Sequence, residues 1–82
     1  MKLTYDPRNN VAYMRLREPA TELQTLRISD ELLIDIAPDG SVYGFEFLNA
    51  NEQLRSADGG EFVLIDSLLG TKQPLHLPSA AE

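Results

Sequence analysis

Cysteine and tryptophan are absent from the 82 residues, and histidine occurs once. Without cysteine there is no disulfide framework, no zinc–thiolate site and no thiol nucleophile, so the usual staples of a small domain are missing. Basic residues are scarce as well: seven Lys and Arg against thirteen Asp and Glu give a net charge of −6 and a pI near 4.6. That balance repels phosphate backbones and anionic lipid surfaces, which argues against nucleic acid and membranes as partners. No apolar run reaches the roughly 18 residues of a membrane-spanning helix. The opening Met-Lys-Leu-Thr-Tyr-Asp-Pro lacks the apolar stretch of a signal peptide, and a cytoplasmic location is the expectation. Repeats and low-complexity tracts are also lacking. A chain of this length buries only roughly 60 to 65% of its unfolded surface, so association with a second chain is the remaining way to gain buried area.

What is present is β-strand patterning. Leu32–Ala37 and Val42–Leu48 are two apolar runs joined by Pro38-Asp39-Gly40. Pro38 presets φ, Asp39 can bond its own backbone and Gly40 accepts a positive φ, which together predict an antiparallel hairpin. Leu32, Ile34 and Ile36 share one face of the first run and Tyr43, Phe45 and Phe47 one face of the second, while Asp35, Gly44 and Glu46 lie on the mixed faces. Earlier in the chain, Lys2–Tyr5 and Val11–Arg17 alternate across a turn at Asp6-Pro7, with Leu3 and Tyr5 on one face and Ala12, Met14 and Leu16 likewise together. Thr21–Ser29 reads as a strand with Leu26 and Ile28 inward, although Leu23 and Leu26 also fit helical spacing. In the C-terminal third, Asp58 and Glu61 have capping-box spacing, and Phe62, Ile65, Leu68 and Leu69 then fall on one helical stripe ahead of Gly70. A helix over 58–69, covering the mixed side of the sheet, is the expectation; a strand at Phe62–Ile65 is the alternative, because Phe-Val-Leu-Ile has high β propensity. The predicted fold is α+β, mainly β: an antiparallel meander of about five strands with one C-terminal helix packed on the sheet. A rolled sheet or sandwich is the competitor. Residues 1–71 would form one β-rich domain and 72–82 an extended tail.

Tyr5-Asp6-Pro7, Ala12–Leu16, Leu33–Ile36, Asp39-Gly40 and the Val42–Ala50 segment, in that order, resemble the DUF2283 family of small prokaryotic proteins of unknown function. The resemblance spans roughly residues 3 to 50. Members typically carry Asp where this chain has Asn49. As the resemblance implies, members are short stand-alone chains, some encoded beside small toxin-like proteins, which points to an antitoxin-type or partner-binding role.

Chemistry-bearing residues are few. His76 lies between Leu75 and Leu77 without the acid and nucleophile of a triad and reads as a surface side chain. The candidate surface or ligand site is Asp35, Glu46, Arg15 and Arg17, with Pro38, Asp39 and Gly40 as turn residues. Asp35 and Glu46 sit on adjacent strands, within one or two pair positions of each other if the turn is tight. A pair held that close could share a proton or bind a divalent cation. The stronger reading has them in cross-strand ion pairs with Arg15, Arg17 or Arg27. Gly44 either marks a bulge or close approach, or makes room for Tyr13 or Tyr43; the second is preferred. No catalytic residue, metal site or cofactor is expected. The favoured function is a non-enzymatic protein-binding or self-assembling module, either a homo-oligomer or a captor of a small basic protein steered in by rim acids such as Glu18 and Glu22. The alternative is a small metal-dependent hydrolase using Asp35, Glu46 and Asp30.

Overall fold

A computed structural model of the chain describes residues 1–18, 22–55 and 59–78. Two antiparallel sheets account for most of them. The larger contains β1 (Lys2–Asp6), β2 (Val11–Arg15), β3 (Gln24–Ser29), β4 (Leu32–Ile36) and β5 (Val42–Leu48) in the spatial order β1-β2-β5-β4-β3. Five antiparallel strands and a mainly β fold agree with the sequence reading. The meander is interrupted at one point: β3-β4-β5 is sequential, and β5 then returns to pair with β2 rather than leaving β2 beside β3. Their patterns explain the order. β3 carries exposed side chains throughout and suits an edge, whereas Phe45 and Phe47 of β5 gain more contact in the centre.

Two turns hold the pairs in register. At Pro38-Asp39-Gly40 the Asp39 Oδ1 accepts from the Ser41 amide at 2.9 Å, Gly40 has φ 89°, and the Ala37 amide donates to the Ser41 carbonyl. Between β1 and β2, the Asp6 carboxylate accepts from the Arg8 and Asn9 amides, and Asn10 closes the loop at φ 60°.

The register separates the two faces. Leu3, Met14, Phe45, Ile34 and Leu26 form one cross-strand row; Tyr5, Ala12, Phe47 and Leu32 form the next on the same side. At one end of this apolar face lies the helix α1 (Ala50–Arg55). It packs against β2, and among the described residues Ala12 and Ala50 are the fully buried apolar side chains, at 2% and 0% exposure. Asn10 fastens the helix start: its carbonyl accepts from the Ala50 amide, its side-chain oxygen from the Asn51 amide. Tyr5 donates to Asn51 Oδ1 at 2.6 Å. Asn49, at φ 52°, is where the chain turns from β5 into α1, a conformation Asn tolerates.

Several expectations change. The helix falls at 50–55, not 58–69, and lies on the apolar side of the sheet rather than the mixed side. The alternative at Phe62–Ile65 is what forms: β6 (Glu61–Asp66) pairs with β7 (Thr71–His76) as a separate two-stranded sheet. β7 also takes up residues 72–76, which were expected in an extended tail. The helical stripe loses because Phe-Val-Leu-Ile favours strand and because Asp66 and Gly70 make a hairpin loop, the Asp66 Oδ1 accepting from the Leu68 and Leu69 amides and Gly70 adopting φ 72°. Inward placement of Ile28 also fails: a bulge between Arg27 and Ser29 drops it out of register, and it is 56% exposed. The expected cap Asp58 and the expected strand start Thr21 lie outside the described residues.

Candidate functional site

The mixed face of the large sheet gathers the charged candidates. Tyr13 lies opposite Glu46, and Arg15 opposite Gly44, which is opposite Asp35. Asp35 and Glu46 are therefore diagonal neighbours on adjacent strands, as the tight turn predicts. The ion pairs do not form: among the described residues, Arg27 pairs with Asp30 at 3.7 Å, and Asp35 is held by hydroxyls instead. Tyr13 Oη donates to Asp35 Oδ2 and Thr25 Oγ1 donates to Asp35 Oδ1, both at 2.6 Å.

Gly44 makes this arrangement possible. Tyr13 starts on β2 and reaches across β5 to β4, so its ring must pass over β5. A Cβ on residue 44 would lie 2.3 Å from the Tyr13 hydroxyl and 2.6 Å from its ring carbon, far inside van der Waals contact. The preferred sequence reading of Gly44, room for a tyrosine, holds, and the tyrosine is Tyr13. The resulting Tyr13–Asp35–Thr25 chain ties β2, β4 and β3 together across β5. Its hydrogen bond to the Asp35 carboxylate, with some burial, pushes the Tyr13 phenol up to about 12, because losing the proton would set two anions against each other. The sequence places Tyr13 beside Gly44 but gives no sign of its bond to Asp35, and it leaves Thr25 out of the site; the glycine inside β5 is the available signal.

Arg15 and Arg17 also line, with Lys2 and Glu18, a shallow cleft of about 230 Å³. Lys2 and Arg15 are directly opposed across β1 and β2. Arg17 lies over the Tyr43 ring, 5.7 Å from its centroid, a cation–π geometry. Hydrogen bonding to Ser41 holds the exposed Asp39 carboxyl below its ordinary value, and Asn9 does the same for Asp6. His76 is exposed on β7 opposite Glu61. Among the described residues no three His, Asp or Glu side chains converge in a metal-holding group. Nor, among them, is any helix long and apolar enough to cross a membrane.

The second sheet has a different character. Phe62 and Val63 are 39% and 40% exposed, Leu64 and Ile65 60% and 55%, and Leu68 and Leu69 at the loop 90% and 72%. Arg55 of α1 joins this hairpin to the rest, its guanidinium donating to the Pro78 carbonyl, and Gly60 is buried beside Arg55.

The comparisons with known proteins follow the same division. No curated protein and no solved structure matches the chain. One family model, described as "Protein of unknown function (DUF2283)", matches residues 2–51, which run from β1 into the first turn of α1 and stop before the hairpin. More than half of the sequence is thus covered, and the chain belongs to the DUF2283 family.

Proposed function

We propose that this chain is a non-enzymatic protein-association module that offers the apolar face of its large sheet to another polypeptide. The observation that carries the reading is the row Leu3–Met14–Phe45–Ile34–Leu26. It is apolar across all five strands, and among the described elements α1 is packed at one end of that face. A sheet needs a covering layer on its apolar side; Leu3, Met14, Phe45 and Ile34 are half-buried and Leu26 is 36% exposed, so part of that face still reaches solvent and suits association. The mixed face supports the same choice over a carboxylate-based hydrolase, because both oxygens of Asp35 are engaged by Tyr13 and Thr25 in a structural tie.

The test compares faces. Tagged chain incubated in lysate of its source cells should retain a stoichiometric polypeptide, be it a further copy or a different chain. Leu26→Lys on the apolar face should abolish retention, and Asp35→Asn on the mixed face should preserve it. Recovery of nothing by the unaltered chain, or loss with Asp35→Asn alone, contradicts the proposal. The net charge of −6 makes a small basic protein one admissible occupant, and its retention would weaken as salt rises.

A further inference from the structure

We infer, resting on that reading, that the occupant of the apolar face is a second copy of this chain, and that the β6–β7 hairpin of each copy lies over the sheet of the other. Three observations converge. The first is the hairpin itself. An isolated two-stranded hairpin is at best marginally stable in water, and β6 reads Phe-Val-Leu-Ile, an uninterrupted apolar run of the kind found in strands covered on both faces. On one face Phe62 is paired with Leu75, and Leu64, two residues along β6 from Phe62, is diagonal to Leu75; Leu64 and Leu75 are 60% and 53% exposed.

The second is area. The chain exposes 5975 Å², whereas a compact monomer of 9.2 kDa exposes about 4,900 Å². The excess of about 1,000 Å² is close to the roughly 800 Å² that each partner contributes to a standard interface. The Cα radius of gyration, 14.3 Å, likewise exceeds the about 12 Å of a compact chain of this length. The third is reciprocity. One chain carries both an apolar sheet face short of cover and an apolar hairpin short of a support, and a two-fold pairing satisfies both at once, each hairpin meeting the other sheet. A basic partner would cover the face but would leave the hairpin as it is.

Charge distinguishes the two occupants. Two chains of −6 each repel, so self-association strengthens or stays constant as salt screens them; capture of a basic protein does the reverse.

The experiment is light scattering on the full chain across micromolar to submillimolar concentrations, at low salt and at about 1 M salt, beside the double variant Leu64→Glu/Leu75→Glu. Both altered side chains are exposed, so circular dichroism should report an unchanged sheet. The expected result is a mass approaching twice 9.2 kDa that is not lowered by salt. The double variant should associate at least about tenfold more weakly. A chain that stays at 9.2 kDa throughout overturns the second copy while leaving the face-directed retention test above to judge the broader reading. A dimer unaffected by the double variant overturns the hairpin's part, and a dimer that dissociates in high salt overturns the apolar contact.

Discussion

The hairpins β1–β2 and β6–β7 are built on the same turn and meet opposite fates. Asp6 accepts from two following amides at 3.1 Å each, and Asp66 accepts from the equivalent two at 3.0 and 3.1 Å. Asp6 pairs with Val11 and Asp66 with Thr71, so each encloses four residues, and the last of them is left-handed, Asn10 at φ 60° and Gly70 at φ 72°. Beyond the turn the patterns part. β1–β2 alternates, Leu3, Tyr5, Ala12 and Met14 on one side and Lys2, Thr4, Tyr13 and Arg15 on the other, so one face meets α1 while the other can stay wet. β6 is apolar on both sides and has no such support within the described residues. A turn decides that two strands pair; the side-chain pattern decides what the pair then needs.

Gly44→Ala should produce the largest change, since it strikes the attachment of the first hairpin to the rest of its sheet. The added methyl collides with Tyr13, and a loss of about 2 kcal/mol in urea unfolding is expected; a near-neutral result would mean that Tyr13 does not cross β5 as described. Next come Asp6→Ala and Asp66→Ala, a matched pair that separates the two hairpins directly. Removing the Asp6 acceptor should lower the urea midpoint of global unfolding, whereas Asp66→Ala at low protein concentration should leave that midpoint where it was and weaken self-association instead. Equal effects on the midpoint would erase the distinction.

Tyr13→Phe is smaller and depends on pH. The folded-state phenol is raised to about 12 from an unfolded value near 10. Its contribution is therefore complete below about pH 10 and lost as pH climbs toward 12. Screened by solvent on an open face, it amounts to about 1 kcal/mol. Stability measured from pH 9 to 12 should fall for the unaltered chain and stay flatter for Tyr13→Phe; parallel curves would dismiss the Tyr13–Asp35 bond as a contributor. Arg27→Ala comes last, within about 0.5 kcal/mol, because its pair with Asp30 is exposed.

The alternation of Leu3/Tyr5, Ala12/Met14 and Phe45/Phe47 made the large sheet readable from sequence, as did Pro38-Asp39-Gly40 at its central turn. Less accessible was the return of β5 to β2, since strand order depends on which faces match in space and not on neighbours along the chain. Phe62–Leu69 fits two periods: Phe62, Ile65 and Leu69 satisfy 3.6, while Phe-Val-Leu-Ile also satisfies a strand buried on both sides. Asp66 and Gly70 tipped the balance, and Gly70 reads equally as a helix end or a hairpin end. At the candidate site, the tight turn places Asp35 and Glu46 within two pair positions of each other, as the sequence predicts, but the partner of Asp35 differs from the expected arginine. A long-range hydroxyl from Tyr13 replaces a nearby guanidinium, and it is visible only once Gly44 is seen lying between them.

Amide hydrogen exchange at Phe62 and Leu64, whose amides face β7, followed against protein concentration with Met14 and Phe45 as internal references, tests most directly whether β6–β7 is completed by a second copy. The account predicts exchange near the unprotected rate when the chain is dilute, and protection that grows with concentration toward that of β2 and β5. Protection already complete in the dilute monomer, or none at any concentration, would contradict it.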